Sequence, residues 1–184
     1  MSPDFFLISS FDPIPEHYLH GLCFQGEDLI IGDEGYGKYR IAGKGAISPG
    51  QDGSYIIVRN SGNETIIGTD ASGYYKLFLY QCGERWALSN SFIQLARFAA
   101  ARNLPVTIDE SHFSTFFISG PFGDQLTSLR TSVREIRLVP STMEAVVVPT
   151  FFGTAVTLRW REDEDRSELH KDSYGDVLRA YLRT

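Results

Sequence analysis

The sequence is poor in cysteine. It has two among 184 residues, Cys23 and Cys82, and they form no Cys-x-x-Cys arrangement. Two cysteines are too few for the disulfide framework of a small secreted domain. The chain is also long enough to bury a sizeable core, and 42% of its residues are hydrophobic. We therefore expect one domain stabilised by its core, with both thiols reduced and on strands.

Clusters of basic residues are absent as well. The sequence has 17 Lys and Arg against 23 Asp and Glu, a net charge of -6, and its basic residues are scattered singly. Binding to a phosphate backbone needs a basic patch or stripe. The composition therefore argues against nucleic acid as a partner.

Long hydrophobic runs are missing too. No apolar run approaches the roughly 20 residues that span a bilayer, and the start "MSPDFFLISSF" lacks the basic residues that open a signal peptide. We expect a cytoplasmic protein that has no membrane partner.

What the sequence does contain is a series of short alternating runs, separated by Gly, Pro, Asp and Asn as in antiparallel sheets. Eight such runs precede the first helical pattern: 4–11, 18–25, 28–34, 39–48, 54–60, 64–70, 76–81 and 85–91. "QCGE" at 81–84 predicts a hairpin turn between the last two. The glycines of "EGYGKYRIAGKG" are interpreted as turns, because the GK[ST] of a phosphate-binding loop is missing.

Helical spacing then begins. The apolar residues of 92–103 predict a helix with Ser91 as its N-cap, and a second helix follows Asp109 and ends at Gly120-Pro121. Strand patterns return on both sides of a turn at 140–142. The acidic stretch 161–172, which lacks the oxygen spacing of a calcium loop, is interpreted as a linker. The fold class is therefore α+β, with two packed antiparallel sheets flanked by helices.

The order of motifs between Thr69 and Val148 resembles a known family. "TDASGYYKLFLY", "WALSNSF", "ESHFSTFFISG" and "LTSLRTSVREIRLVPSTMEAVVV" follow one another as "RDxxGxxPLYY", "FASE", a helix and "TLFxGIxxLPPG" do in asparagine synthetase-like proteins. The matching part of those proteins is their N-terminal class II glutamine amidotransferase domain, which has the N-terminal-nucleophile hydrolase fold. The resemblance implies a four-layer α/β/β/α sandwich.

The resemblance also implies a division of the chain. Residues 1–160 look like the glutaminase-type domain, and 161–184 look like the charged linker and first helix leading into a synthetase domain outside this sequence. That helix carries Tyr174, Val177, Leu178 and Tyr181 at helical spacing. They are the expected interface with the synthetase domain, to which the phenylalanines at 116, 117 and 122 could add.

Three residues match the family's structural turns. Asp70 and Gly73 correspond to the "RDxxG" turn, where a glycine can take a positive φ and the acid can accept bonds from nearby amides. Ser89 corresponds to the serine of "FASE". We interpret all three as architectural. Tyr74 and Lys76 depart from the family pattern.

The residues of glutamine hydrolysis are not found in this pattern. The family uses an N-terminal cysteine whose free amine acts as base, whereas this chain begins Met-Ser-Pro and both cysteines are internal. Ser2, exposed by removal of Met1, is the alternative nucleophile. Arg40 and Arg59 are the only arginines between Phe24 and Asn60, and either could grip a carboxylate. Neither has the family's flanking pattern, so both are interpreted as surface strand arginines.

The last candidate site in the sequence is a metal site formed by His17 and His20. On a strand, their spacing of three points them to opposite faces, and no Cys or Asp ligand is nearby. We expect no metal in this chain and no other cofactor. The resemblance places ATP and Mg²⁺ in the absent synthetase domain.

The sequence thus favours a degenerate, non-catalytic amidotransferase-like domain that acts as a scaffold for an ATP-dependent, amide-forming synthetase domain. Two alternatives stay open. One is an active glutaminase that supplies ammonia for asparagine-type synthesis. The other is a stand-alone module that binds a small molecule or a peptide. Self-association as a homodimer also stays open.

Overall fold

The computed structural model describes residues 5–118, 129–151 and 153–161, without the side chains of 115–118. The described residues form three helices and two antiparallel sheets. The strands are β1 (Leu7–Ser9), β2 (His17–Gln25), β3 (Asp28–Ile31), β4 (Gly53–Ser61), β5 (Glu64–Thr69), β6 (Leu77–Cys82), β7 (Arg85–Ser89), β8 (Ile136–Val139), β9 (Met143–Thr150) and β10 (Gly153–Trp160). The helices are α1 (Gly32–Ile41), α2 (Phe92–Ala101) and α3 (Glu110–Ile118). The smaller sheet has the order β1-β7-β6-β8, and the larger has the order β10-β9-β5-β4-β2-β3.

Both sheets are covered on both faces at their centres. The run Tyr55–Val58 in β4 is fully buried at every position, and so is Trp86–Ser89 in β7. Successive strand residues point to opposite faces, so a continuous buried run needs a packed layer on each side. The burial of these strands therefore implies more than two layers.

The main core lies between the two sheets. The smaller sheet and the residue before β1 contribute Phe6, Ile8, Leu77, Leu79, Trp86, Leu88 and Val139, and the larger sheet contributes Ile56, Val58, Ile67, Ala145, Val147 and Val156. Trp86 is its largest member and is 1% exposed. Its indole Nε1 donates to the carbonyl of Thr154 at 3.1 Å, which satisfies the polar end of the ring across the core.

Each outer face is covered by a helix. Tyr36 of α1 packs against Leu19, Cys23 and Ile57 on the larger sheet. Leu95 and Ala99 of α2 pack against the smaller sheet. The layer order is therefore α/β/β/α, as the sequence predicted.

Helix α1 corrects the sequence interpretation of residues 39–48. That stretch was expected to form a strand, but the helix runs to Ile41 and the following residues lack regular structure. Gly32, Gly35 and Gly37 weaken the helical pattern, and Tyr36 is the only buried residue on α1. Packing of that one tyrosine on the sheet overrides a weak local preference. Asp33 in the first turn and Arg40 in the last suit the helix dipole, a signal for the helix that the strand interpretation overlooked.

Several predicted boundaries are confirmed. The Ser91 side chain accepts a bond from the amide of Gln94 and caps α2, and Asp109 accepts one from His112 at the start of α3. Gly83 turns the β6–β7 hairpin with a φ of 58°. The predicted strand at 4–11 is shorter than expected, because only Leu7–Ser9 pairs with β7.

None of the helices in the described part of the chain is both long and apolar enough to cross a bilayer.

Candidate functional site

The turn that the sequence singled out carries the chain from one sheet to the other. Residues 70–76, here called the crossing turn, connect β5 of the larger sheet to β6 of the smaller one. Asp70 is fully buried, and its carboxylate accepts bonds from the amides of Tyr55 and Tyr74, both at 3.3 Å, and from the hydroxyl of Ser72. These bonds compensate the carboxylate for its lost hydration.

Gly73 occupies the tightest point of the crossing turn. Its φ is 62°, a conformation that residues with a Cβ rarely adopt. A Cβ at this position would also lie 2.5 Å from the Cβ of Ser141, in the turn between β8 and β9. Backbone shape and close approach therefore both call for glycine.

Ser89 holds the beginning of β1. Its hydroxyl donates to the carbonyl of Phe6 at 2.7 Å and accepts from the amide of Ser91 at 3.1 Å. The neighbouring Asn90 side chain accepts a bond from the amide of Phe6 at 2.8 Å. Ser89 thus joins the start of β1 to the start of α2, and its described hydrogen bonds are all structural.

An open cleft of about 650 Å³ lies beside the crossing turn. We call it the edge cleft. Its floor is the inward face of β2, with Tyr18, His20 and Leu22 at every second position. Tyr75 of the crossing turn and Asp33 at the start of α1 also line the cleft. The cleft lies where β2 and β3 end the larger sheet.

The groups in the edge cleft can bind but offer little chemistry. The ring of His20 contacts Tyr75 edge to face, with centroids 5.1 Å apart. Burial lowers the pKa of His20, so its imidazole is neutral at pH 7. Asp33 and Glu34 contribute negative charge, and Glu34 pairs with Lys38 at 2.6 Å. The result is an aromatic cleft with an acidic rim.

Both cysteines lie away from the edge cleft. Cys23 is on the outward face of β2, under α1, and burial there raises the pKa of its thiol to about 11. Cys82 is at the end of β6 next to the Gly83 hairpin, at the far end of that strand from the crossing turn. Neither thiol is placed to attack a ligand in the cleft.

Both candidate arginines lie on the outer side of the larger sheet. Arg59 lies on β4 directly opposite His17 of β2, and it donates to the hydroxyl of Ser48 at 2.9 Å. Arg40 lies on α1, one turn after Tyr36 on the same side of the helix. Arg40 is therefore a helix residue, which corrects the strand interpretation. We call His17, Tyr36, Arg40, Ser48 and Arg59 the outer cluster.

The outer cluster contains buried polar atoms that have no hydrogen-bond partner. They are Nδ1 of His17, the hydroxyl of Tyr36 and Nε of Arg59. Burial raises the pKa of Tyr36, and the Ile47 amide counters part of that rise without completing a hydrogen bond. Burial and the Arg40 charge lower the pKa of His17, while Glu16 opposes them. Within the described ranges, neither Arg40 nor Arg59 forms an ion pair.

The sequence considered three members of the outer cluster separately and missed Tyr36 and Ser48. The strand interpretation of 39–48 concealed this grouping, because only a helix places Arg40 one turn from Tyr36 on the same side. The opposite faces of His17 and His20 are confirmed: His17 lies beside Tyr36, and His20 beside Tyr75.

Other predicted residues lie outside the described part of the chain. They are Ser2, Phe122 and the proposed interface of Tyr174, Val177, Leu178 and Tyr181. Phe116 and Phe117 lie on α3, but their side chains are not described. Among the described residues, no group of three His, Cys, Asp or Glu side chains is placed to hold a metal ion.

The sequence matches no protein-family model and no curated protein.

Proposed function

We propose that this chain is a non-catalytic glutamine amidotransferase-like domain that acts as a scaffold for an ATP-dependent, amide-forming synthetase domain of the asparagine synthetase type. In this proposal the chain itself needs no cofactor. ATP and Mg²⁺ act in the synthetase domain, which would pack against the helix predicted from the spacing of Tyr174, Val177, Leu178 and Tyr181.

The observation that carries the proposal is the structural role of the turn residues. Asp70, Gly73 and Ser89 are the positions at which the chain resembles the family, and in the four-layer sandwich their described contacts are structural. A domain that kept the framework and lost the chemistry would have this arrangement. Because a shared fold does not by itself carry a shared function, the proposal needs a biochemical test.

Among the residues that the structure describes, the positions of the reactive groups favour a scaffold over a glutaminase. Hydrolysis of glutamine needs a nucleophile and a cationic grip on the substrate's carboxylate in one cleft. The edge cleft has an acidic rim, whereas Cys23 and the two arginines of the outer cluster lie on the opposite face of the larger sheet. A substrate in the cleft would meet neither group.

Ammonia release from glutamine tests the proposal. The purified chain is assayed beside a Ser2→Ala variant, and mass spectrometry establishes the mature N-terminus of both proteins. We expect no release above background from either. Release by the parent chain that disappears in Ser2→Ala would identify Ser2 as a nucleophile, and the active-glutaminase alternative would then replace the scaffold.

The edge cleft favours the binding-module alternative. Tyr18, His20 and Tyr75 form an aromatic surface, and Asp33 suits an amino group or another cation beside it. Titration of amino acids and amines against thermal unfolding separates this module from an inert scaffold, since a ligand specific to the folded state raises Tm. A saturable rise that is lost in Asp33→Asn would support binding in the cleft. Unchanged Tm across the panel would leave the scaffold.

A further inference from the structure

We propose that the outer cluster is a binding site for a small oxyanion group, a carboxylate or a phosphate. This site is separate from the edge cleft, because it lies on the other face of the larger sheet. It goes beyond the scaffold role and does not depend on it.

The site is assembled from four parts of the chain. β2 supplies His17, α1 supplies Tyr36 and Arg40, the loop after α1 supplies Ser48, and β4 supplies Arg59. In β4, Ile57 packs on the outer face under α1, and Arg59 follows two residues later on that face. His17 is its direct partner across the strands, and the rings of His17 and Tyr36 are 6.3 Å apart.

The partnerless atoms indicate what is missing from the cluster. A buried donor without a hydrogen bond costs free energy, so native proteins rarely leave several together. Here the Tyr36 hydroxyl and the Arg59 Nε are both in that state, and Tyr36 is only 1% exposed. An acceptor-rich ligand that reached these two atoms would give each of them a hydrogen-bond acceptor.

The charge of the cluster selects an anion. Arg40 and Arg59 form no ion pair within the described ranges, although the whole chain carries a net charge of -6. The planar fork of a guanidinium group matches the two oxygens of a carboxylate or phosphate. Tyr36 and Ser48 add neutral hydroxyl groups, and Arg40 is exposed to solvent.

The experiment compares anions at constant ionic strength. The full chain in a chloride buffer receives either phosphate or acetate, and thermal unfolding and calorimetric titration are followed. We expect a saturable rise in Tm with at least one of the two anions, above any effect of chloride. The anion that binds identifies the oxyanion as a phosphate or a carboxylate. Absence of a saturable response to both would overturn the proposal.

Variants locate the binding. Arg59→Gln and the more exposed Arg40→Gln should each weaken the Kd for the anion at least tenfold, and Arg40→Gln serves if Arg59→Gln does not fold. The matched control is Arg97→Gln, on the exposed side of α2 in the opposite outer layer, which makes the same charge change and should leave the Kd unchanged. Equal weakening in all three variants would show a nonspecific charge effect and reject the site.

A direct spectroscopic signal completes the test. The side-chain Nε–H resonance of Arg59, assigned through Arg59→Gln, should move as the anion is added and saturate with the calorimetric Kd. A resonance that stays in place while the anion binds would place the ion elsewhere and contradict the proposal.

Discussion

The crossing turn and the outer cluster both bury polar side chains against the larger sheet, yet they differ in how those side chains are bonded. In the crossing turn, Asp70 accepts bonds from two amides and a hydroxyl. In the outer cluster, three buried polar atoms lack any partner. A buried group whose bonds are all internal contributes to the fold, whereas one left unbonded in a well-packed region indicates a place for something else. The comparison separates structural polar residues from candidate binding residues without reference to any family.

The largest effect is expected at Asp70. Asp70→Ala should lower the free energy of unfolding by about 3 kcal/mol, because it leaves the buried amide of Tyr55 without its acceptor and releases the turn at Tyr74. Urea denaturation followed by tryptophan fluorescence measures the change. Asp52→Ala is the control, since Asp52 is exposed and should stay within about 0.5 kcal/mol of the parent. If the two variants lost similar amounts of unfolding free energy, the bonds of Asp70 in the crossing turn would not be important for stability.

A smaller loss is expected at Gly73. Gly73→Ala should cost about 2 kcal/mol, because the positive φ and the contact with Ser141 act together. Gly83→Ala measures the effect of the positive φ alone, since Gly83 has a φ of 58° and open space around it. This variant should lose about 1 kcal/mol of stability. Denaturant midpoints of the two variants give the difference. If Gly83→Ala proved as costly as Gly73→Ala, the contact with Ser141 would be unimportant.

The smallest effect, and the one of opposite sign, is expected at Tyr36. Tyr36→Phe removes a hydroxyl that has no partner and keeps the buried ring, so in anion-free buffer the variant should be as stable as the parent or up to about 1 kcal/mol more stable. Tyr55→Phe provides the contrast, because the Tyr55 hydroxyl donates to the Ser48 carbonyl at 2.6 Å. Loss of that bond should lower the stability of this variant. A clear destabilisation in Tyr36→Phe would mean that its hydroxyl is satisfied in solution, and the outer cluster would then resemble the crossing turn.

The sheets could be predicted from the sequence because their pattern is local. Strand alternation, the Gly83 hairpin, the 140–142 turn and the caps at Ser91 and Asp109 each depend on residues a few positions apart. Helix α1 could not be predicted in this way. Its stability depends on Tyr36 reaching residues of β2 and β4 on the sheet, and its three glycines hide the helical period.

The candidate sites depended on the same missing information. The sequence named Arg40 and Arg59 but gave no reason to join them, since a strand at 39–48 would not set Arg40 beside Tyr36. The edge cleft was also beyond prediction, because its lining comes from β2, the start of α1 and the crossing turn, which are distant from one another in the sequence. Neither feature has a local motif.

The pairing of early strands with late ones has a consequence for how the chain folds while it is being made. β5 is completed by β9, through pairs such as Ile66 with Val146, and β6 is completed by β8. Trp86, in the core between the sheets, can form its hydrogen bond to Thr154 only after β10 has been synthesised. Contacts this distant in the sequence close slowly. A nascent chain that has reached α2 would therefore carry open strand edges and half of a core, and chaperone protection should matter most at that point of synthesis.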